Sequence, residues 1–353
     1  MSGRLLIYGV TGFTGRMTAA AARERGLDVV LAGRNARKLQ PLAESLGLPW
    51  LAVDLADTAG LEAALTGANA VLHIAGPFAE TARPMVEACL RAGTHYLDVT
   101  GELEVFRLIA GYDAEARQRG LMLMPGVGFA IVATDCLAAQ VAARLPEAKY
   151  LRIGLSHTDA ISRGSLRTMI ALVDETVAVR RNGTLARVPV GRLERSFDFG
   201  AGPKLGTALS WADVFTAHYT TGIPNIEVYA EASLYGRTLY QVCSWFAGPM
   251  RTTPYRKLLE LQAQLWPAGP SAERREAAPR VIVAEAEDRW RRKVWARLRT
   301  PDGYDFTIPA ALAVAERVLA GEFREGFRTP AGVYGADFVL GFDGVRLEQG
   351  ESR

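Results

Sequence analysis

Three glycines in seven residues, Gly9-Val10-Thr11-Gly12-Phe13-Thr14-Gly15, follow an apolar run of strand length and open a stretch of helical periodicity. The order strand, glycine turn, helix constrains this chain more than any other feature in it. Gly9 permits a tight turn, Gly12 lets a diphosphate approach the backbone, and Gly15 allows the helix to pack closely on the strand. The helix start then offers N–H groups and the positive end of a dipole to phosphate oxygens. A glycine-rich turn with no ligand is the plain alternative, and the strand–turn–helix setting argues against it.

The strand–helix alternation continues to about residue 125. Apolar strands are expected at Leu5–Tyr8, Asp28–Ala32, Trp50–Val53, Ala70–Ile74, Tyr96–Val99 and Leu121–Met124. Helical stretches lie between them, nearly all ended by glycine. Uniformly apolar strands separated by helices imply a parallel sheet covered on both faces, a doubly wound Rossmann-type α/β fold. The pattern changes near residue 150. Strands are expected at Leu151–His157, Leu185–Val190, Asn225–Ser233, Val281–Glu287, Val294–Thr300 and Tyr304–Thr307. Helices are expected at Ser165–Arg180, Ala310–Leu319 and Thr329–Leu340, with Asn182-Gly183 as a hairpin turn signal. This second half reads as α+β, and 353 residues suit two domains.

Composition removes several classes of function. A net charge of +3, from 41 basic and 38 acidic residues, does not suggest nucleic acid as the main partner. The nearest thing to a basic block, Arg291-Arg292-Lys293, stands among Trp290 and Trp295 and reads as the exposed side of a strand. Three well-separated cysteines (Cys89, Cys136, Cys243) and 4 histidines argue against a disulfide scaffold and against a metal site. A reducing cytoplasm is the expected compartment. No integral membrane segment is expected, because Pro125, Gly126 and Gly128 break the longest apolar run. The apolar N-terminus breaks at Gly9 and is not read as a signal peptide.

The cofactor site is expected to use Gly9, Thr11, Gly12, Phe13, Thr14 and Gly15, together with residues at the ends of later strands. An NAD-preferring site places a carboxylate after the second strand to hold the ribose 2′-OH. Here that strand runs into Gly33-Arg34-Asn35, with Lys38 in the next helical turn. A guanidinium there can pair bidentately with a 2′-phosphate, which points to NADP(H); a solvated loop arginine is the alternative. Asp54, after the third strand, is placed either at the adenine amino group or as a helix cap. Gly76-Pro77-Phe78 and Thr100-Gly101 follow the fourth and fifth strands, where open sheets hold ligands. Glu102 reads as an acid complementing a helix dipole.

No acid–base pair announces itself. The proton donors weighed are His95, Tyr96, Asp98, Asp135, His218 and Tyr219, and the Tyr-x-x-x-Lys pair of short-chain dehydrogenases is missing. In the second half, Ser162-Arg163-Gly164-Ser165 before a predicted helix combines N–H groups with a fixed charge, suited to a carboxylate or carbonyl oxygen. Ser162, Arg163, His218 and Tyr219 are therefore the catalytic candidates, with capping and packing as their plainer roles. The aromatic residues of this half suit a core, a homodimer interface or the walls of an apolar pocket.

Taken together, Gly9-Val-Thr-Gly-Phe-Thr-Gly15, Ala32-Gly-Arg34 with Lys38-Leu39, Gly76-Pro77-Phe78 and Ala92-Gly-Thr-His-Tyr-Leu-Asp-Val-Thr-Gly-Glu102 resemble the saccharopine dehydrogenase-like oxidoreductases. Ile161–Ser165, Ser210-Trp-Ala-Asp213, Thr221-Gly-Ile-Pro-Asn225 and Arg328-Thr-Pro-Ala331 look most like the branch that contains the trans-acting enoyl reductases. Ser165 stands where Thr is commoner, and Ala130–Ala133 replaces a more polar stretch. The resemblance implies a dinucleotide-binding domain over 1–135, an inserted substrate and dimerisation domain over 136–309, and a segment over 310–353 returning to the first domain. It implies an NADP-dependent oxidoreductase acting on C=C, C=O or C=N of a small or lipid-like molecule. The alternatives are a non-catalytic NADP(H)-binding redox sensor and a true saccharopine-type amino-acid dehydrogenase.

Overall fold

The computed structural model describes residues 3–156, 162–164, 176–232, 264–277 and 279–352. The chain divides into two compact units, one of residues 1–132 with 304–333, the other of residues 133–303 with 334–353.

In the first unit, strands β1 (Leu5–Tyr8), β2 (Val29–Gly33), β3 (Trp50–Ala52), β4 (Ala70–His73), β5 (His95–Asp98) and β6 (Met122–Met124) alternate with helices. The helices are α1 (Phe13–Glu24), α2 (Ala36–Leu46), α3 (Thr58–Leu65), α4 (Phe78–Ala92), α5 (Leu103–Ala110) and α6 (Asp113–Gln118). Every residue of β1, β4 and β6 is buried, as a sheet covered on both faces requires. The strands run parallel in the order β3-β2-β1-β4-β5-β6, and the short strand Gly326–Phe327 adds a seventh beside β6. Asp113 holds that late strand, accepting the Phe327 amide at 2.8 Å. The strand order reverses at β1, between β2 and β4, which opens a crevice at its carboxyl end.

The second unit is built on a mixed sheet of β7 (Tyr150–Leu155), β8 (Thr176–Arg181), β9 (Thr184–Pro189), β10 (Glu194–Asp198), β11 (Pro203–Ala208), β12 (Asn225–Glu231), β13 (Arg280–Glu287) and β14 (Lys293–Thr300). Its path is β10-β11-β12-β7-β13-β14 followed by Arg346–Ser352, with β8 and β9 branching from β12. Among the described residues of this unit only β7 and β12 pair in parallel. Val177, Phe197, Ala208, Tyr229 and Val283 form a core cluster here. Gly154 makes room for it: a Cβ at that position would lie 2.6 Å from the Phe197 ring.

Four expectations are corrected. Residues 176–180 are strand and not helix, because Asn182 and Gly183, both at positive φ, close a β8–β9 hairpin; residues 165–175 of that expected helix lie outside the described residues. Tyr304–Thr307 is the first turn of a helix, Gly303–Leu319, whose buried Phe306 and Ala310 repeat at helical spacing. The expected helix Thr329–Leu340 is broken at Gly335, φ 85°, into Pro330–Tyr334 and a 3-10 turn over Ala336–Gly341. The tail 310–353 belongs to the first unit only through residue 333; residues 334–353 belong to the second, where Arg346–Ser352 pairs antiparallel with β14.

Candidate dinucleotide site

The three glycines of the loop answer to three different constraints. Gly9 has φ +97°, and a Cβ there would meet the Ala75 backbone at 2.7 Å, so the turn after β1 rests against the loop after β4. Gly15 lies on the loop itself: a Cβ would stand 2.4 Å from the Gly9 carbonyl oxygen. Gly12 is different. A Cβ there would meet only that carbonyl, at 3.4 Å, and would otherwise point into open space. Gly12 is also the N-cap of α1, with no side-chain cap bond and no acid in the first turn. A helix start left open beside a glycine that faces empty space fits a diphosphate. Thr11, Phe13 and Thr14 are half-buried around it.

The ends of β1, β2 and β3 converge on Tyr8. Its hydroxyl donates to the Val53 carbonyl at 3.0 Å. Burial pushes its pKa up to about 12, with the Asp54 carboxylate adding to the rise and the Arg34 guanidinium opposing it. Arg34 and Asp54 thus act on this phenol with opposite signs, and both are exposed to solvent. Asp54 is not a helix cap. It closes a turn by accepting the Ala56 amide at 2.9 Å, and Asp57 caps α3 instead. The Asn35 side chain caps α2, accepting the Lys38 amide at 3.2 Å, and Lys38 is exposed.

Past β4 the chain turns through a cis Gly76–Pro77 bond into α4. Glu102, 6% exposed, caps that helix from 24 residues away, taking the Phe78 and Ala79 amides at 3.0 and 2.9 Å. Its dipole role was legible, but on a different helix from the one it precedes. Thr100 is buried, and its hydroxyl accepts the Glu102 amide at 3.1 Å, so that side chain builds the loop; Gly101 beside it is half-buried.

Sequence reasoning named Asp98 only as a proton-donor candidate and missed Tyr8 and His73, which join it in a row beneath this edge. Tyr8, His73 and Asp98 end β1, β4 and β5 in mutual register, all buried. A polar residue closing an otherwise apolar strand was the signal available. His73 Nε2 bonds Thr81 at 3.0 Å, its Nδ1 has no partner, and burial drops its pKa to about 3. Tyr96 donates to Asp98 at 2.6 Å, while Asp98 accepts the amides of Thr100 at 2.9 Å and Gly126 at 2.8 Å. Burial lifts Asp98 to about 7 against the pull of those bonds. His95 sits at the opposite end of β5, where its Nδ1 accepts the Met122 amide at 2.9 Å, away from the crevice.

The second unit holds the other candidates. Ser162 is buried, and Arg163 commits its Nε to the Trp266 carbonyl at 2.9 Å; Ser165 lies outside the described residues. His218, on the helix α7 (Asp213–Thr221), binds the Ile223 carbonyl through Nδ1 at 2.9 Å and so closes that helix end. Tyr219 is 49% exposed, its ring 5.8 Å from Phe215. Asp135 and Asp213 are both fully buried, Thr220 donates to Asp135 at 2.5 Å, and burial lifts Asp213 to about 8. Among the described residues no three His, Cys, Asp or Glu are placed to hold a metal, and no helix is long and apolar enough to cross a membrane.

Residues 5–124 match the saccharopine dehydrogenase NADP binding domain. The chain is 34% identical over 139 residues to a trans-acting enoyl reductase of Mycobacterium ulcerans, covering 37% of this chain and 33% of that one. A trans-acting enoyl reductase of Mycobacterium tuberculosis is 33% identical over 151 residues, covering 40% and 36%. The chain thus spans about a third of the length of the curated relatives it matches. Among solved structures, saccharopine dehydrogenase (L-Glu forming) from Saccharomyces cerevisiae superposes with TM-score 0.67 at 11% identity, covering 99% of this chain and 100% of that one. Homospermidine synthase from Legionella pneumophila, solved with NAD, gives 0.60 at 9% identity, covering 96% and 88%. These two likenesses concern the fold.

Proposed function

We propose, on the premise that residues 5–124 are a saccharopine dehydrogenase-type NADP-binding domain, that this chain is an NADP(H)-dependent oxidoreductase. Its substrate is a small or lipid-like molecule carrying C=C, C=O or C=N. The observation that carries the reading is the pairing of an uncapped α1 start at Gly12 with Arg34 at the end of β2, where no carboxylate stands. In this reading the loop Gly9–Gly15 receives the diphosphate, and Arg34 with Lys38 receives the 2′-phosphate. Glu102 and Asp98 position the loops after β4, β5 and β6. When bound, the nicotinamide supplies or takes the hydride. The relatives named enoyl reductases support C=C first among the bond types, through likeness over part of their length. A redox sensor is the second reading, favoured by one observation: His73, Tyr96 and Asp98 at this edge are all buried and engaged within the protein.

Titration with both cofactors tests the first claim. Wild type binds NADPH roughly 10- to 100-fold tighter than NADH, the worth of one charge-assisted bidentate contact, and Arg34→Asp removes that preference. Equal affinities in wild type sink it. NADPH oxidation is then followed with enoyl thioesters, ketones and imines. Turnover on any class supports the enzyme, whereas tight binding with no turnover supports the sensor.

A further inference from the structure

The basic run near residue 290 is not on a strand face. β13 ends at Glu287 and β14 begins at Lys293, so Arg291 and Arg292 lie in the hairpin turn between them. Asp288, 1% exposed, locks that turn by accepting the amides of Trp290 at 2.8 Å and Arg292 at 3.0 Å and the Arg292 Nε at 2.5 Å. What the turn presents is therefore fixed. Trp290 is 52% exposed, with the Arg289 guanidinium 4.0 Å and that of Arg292 5.3 Å from its ring. The Arg291 side chain is 86% exposed and reaches Glu287 only at 3.9 Å. Tyr150, 41% exposed, pairs in register with Glu287 and puts a second aromatic ring at the same end of the sheet.

Of the acids near the tip, Glu351, in register with Val294 on the last strand, is 81% exposed and reaches Arg144 only at 4.0 Å, one negative charge against Arg289, Arg291 and Lys293; the other two are spent. Asp288 is enclosed by its own turn, and Glu287 is taken by Arg152 at 2.8 Å. The net outward charge is positive. An indole held in solvent between guanidinium groups adds nothing to the core cluster of this unit. Amphipathic rings of this kind concentrate at membrane–water boundaries, and neighbouring Arg and Lys attract anionic headgroups. We propose that the β13–β14 tip docks on an anionic lipid bilayer, with Trp290 in the headgroup zone and Arg289, Arg291 and Lys293 against lipid phosphates. An acidic protein would be met by charge alone and leaves the indole without a purpose.

Sedimentation of the full chain with vesicles tests this independently of the cofactor reading. The chain associates with vesicles of phosphatidylcholine mixed with phosphatidylglycerol, not with phosphatidylcholine alone, and salt weakens the association. Each basic side chain near such a surface is worth roughly fivefold, so Arg289→Glu with Arg291→Glu lowers partitioning by at least about 25-fold. Trp290→Ala lowers it as well, and neither variant changes NADPH affinity. Association with neither vesicle, with both equally, or unaltered in both variants overturns the proposal. So does capture by soluble polyglutamate without any binding to vesicles. Should a variant fold poorly, the wild-type comparison of the two vesicle types decides alone.

Discussion

Gly12 and Gly15 stand three residues apart and are held by different neighbours. A side chain at Gly12 enters open space at the α1 start, whereas one at Gly15 collides with the Gly9 carbonyl at 2.4 Å. Gly12→Val should therefore abolish measurable NADPH binding with the unfolding midpoint nearly unchanged. Gly15→Ala should cost about 1–3 kcal/mol, because the helix start must move off the Gly9–Val10 backbone. Urea denaturation and cofactor titration on the two variants check the contrast; a Gly12→Val chain that binds NADPH normally would remove the glycine loop from the site. The same locality made Arg34 legible, since its meaning depends on one strand end. Tyr8 and His73 were not, and Asp98 stood only as a candidate proton donor, because the row they form exists only once the neighbouring strands align them.

At the scale of elements, β5 does more than fill the sheet. Its last residue, Asp98, ties down the loops after β5 and β6 by their amides. Burial raises its pKa to about 7, while an unfolded Asp loses its proton near 4. Between those values the unfolded chain binds fewer protons than the folded one, so stability falls as pH rises from about 4 to 7. The slope from this one group is at most about 1.4 kcal/mol per pH unit. Asp98→Asn keeps an acceptor for the two amides and carries a neutral donor toward Tyr96. It should flatten that part of the slope and leave the share of Asp213, which extends to about 8. Urea midpoints across this range read the result, and identical slopes in variant and wild type would show that Asp98 does not titrate there. Elements whose identity rests on pairing were the hardest to read. The stretch 176–181 is a strand because β9 and β12 bond to it.

The whole molecule is not two successive halves. The first unit is completed by Gly303–Leu319 and by Gly326–Phe327, which pairs in parallel with β6. Phe306, Leu312, Val314 and Phe327 are buried there, and Phe129 stacks edge-on against Phe306 with ring centres 6.0 Å apart. Deleting residues 304–353 should leave a chain with no cooperative unfolding transition and no NADPH binding, although every residue of the glycine loop and Arg34 remains. Calorimetry and cofactor fluorescence check this. A truncated chain that still unfolds cooperatively and binds NADPH would show that residues 1–132 suffice for the first unit.

The sequence alone settled the parallel α/β half and its cofactor class. Those features rest on relations within a few residues: strand-length apolar runs, helical spacing, and the turn chemistry of Gly9, Gly12 and Gly15. Tertiary structure alone decided that Glu102 caps α4, that residues 304–307 continue into a helix, and that the last strand joins β14. It also decided which acids are pushed toward the protonated form, because the burial that raises Asp98 and Asp213 is set by segments distant in the chain. Pairing and desolvation depend on partners that no local pattern specifies, and that is where reading along the chain stops.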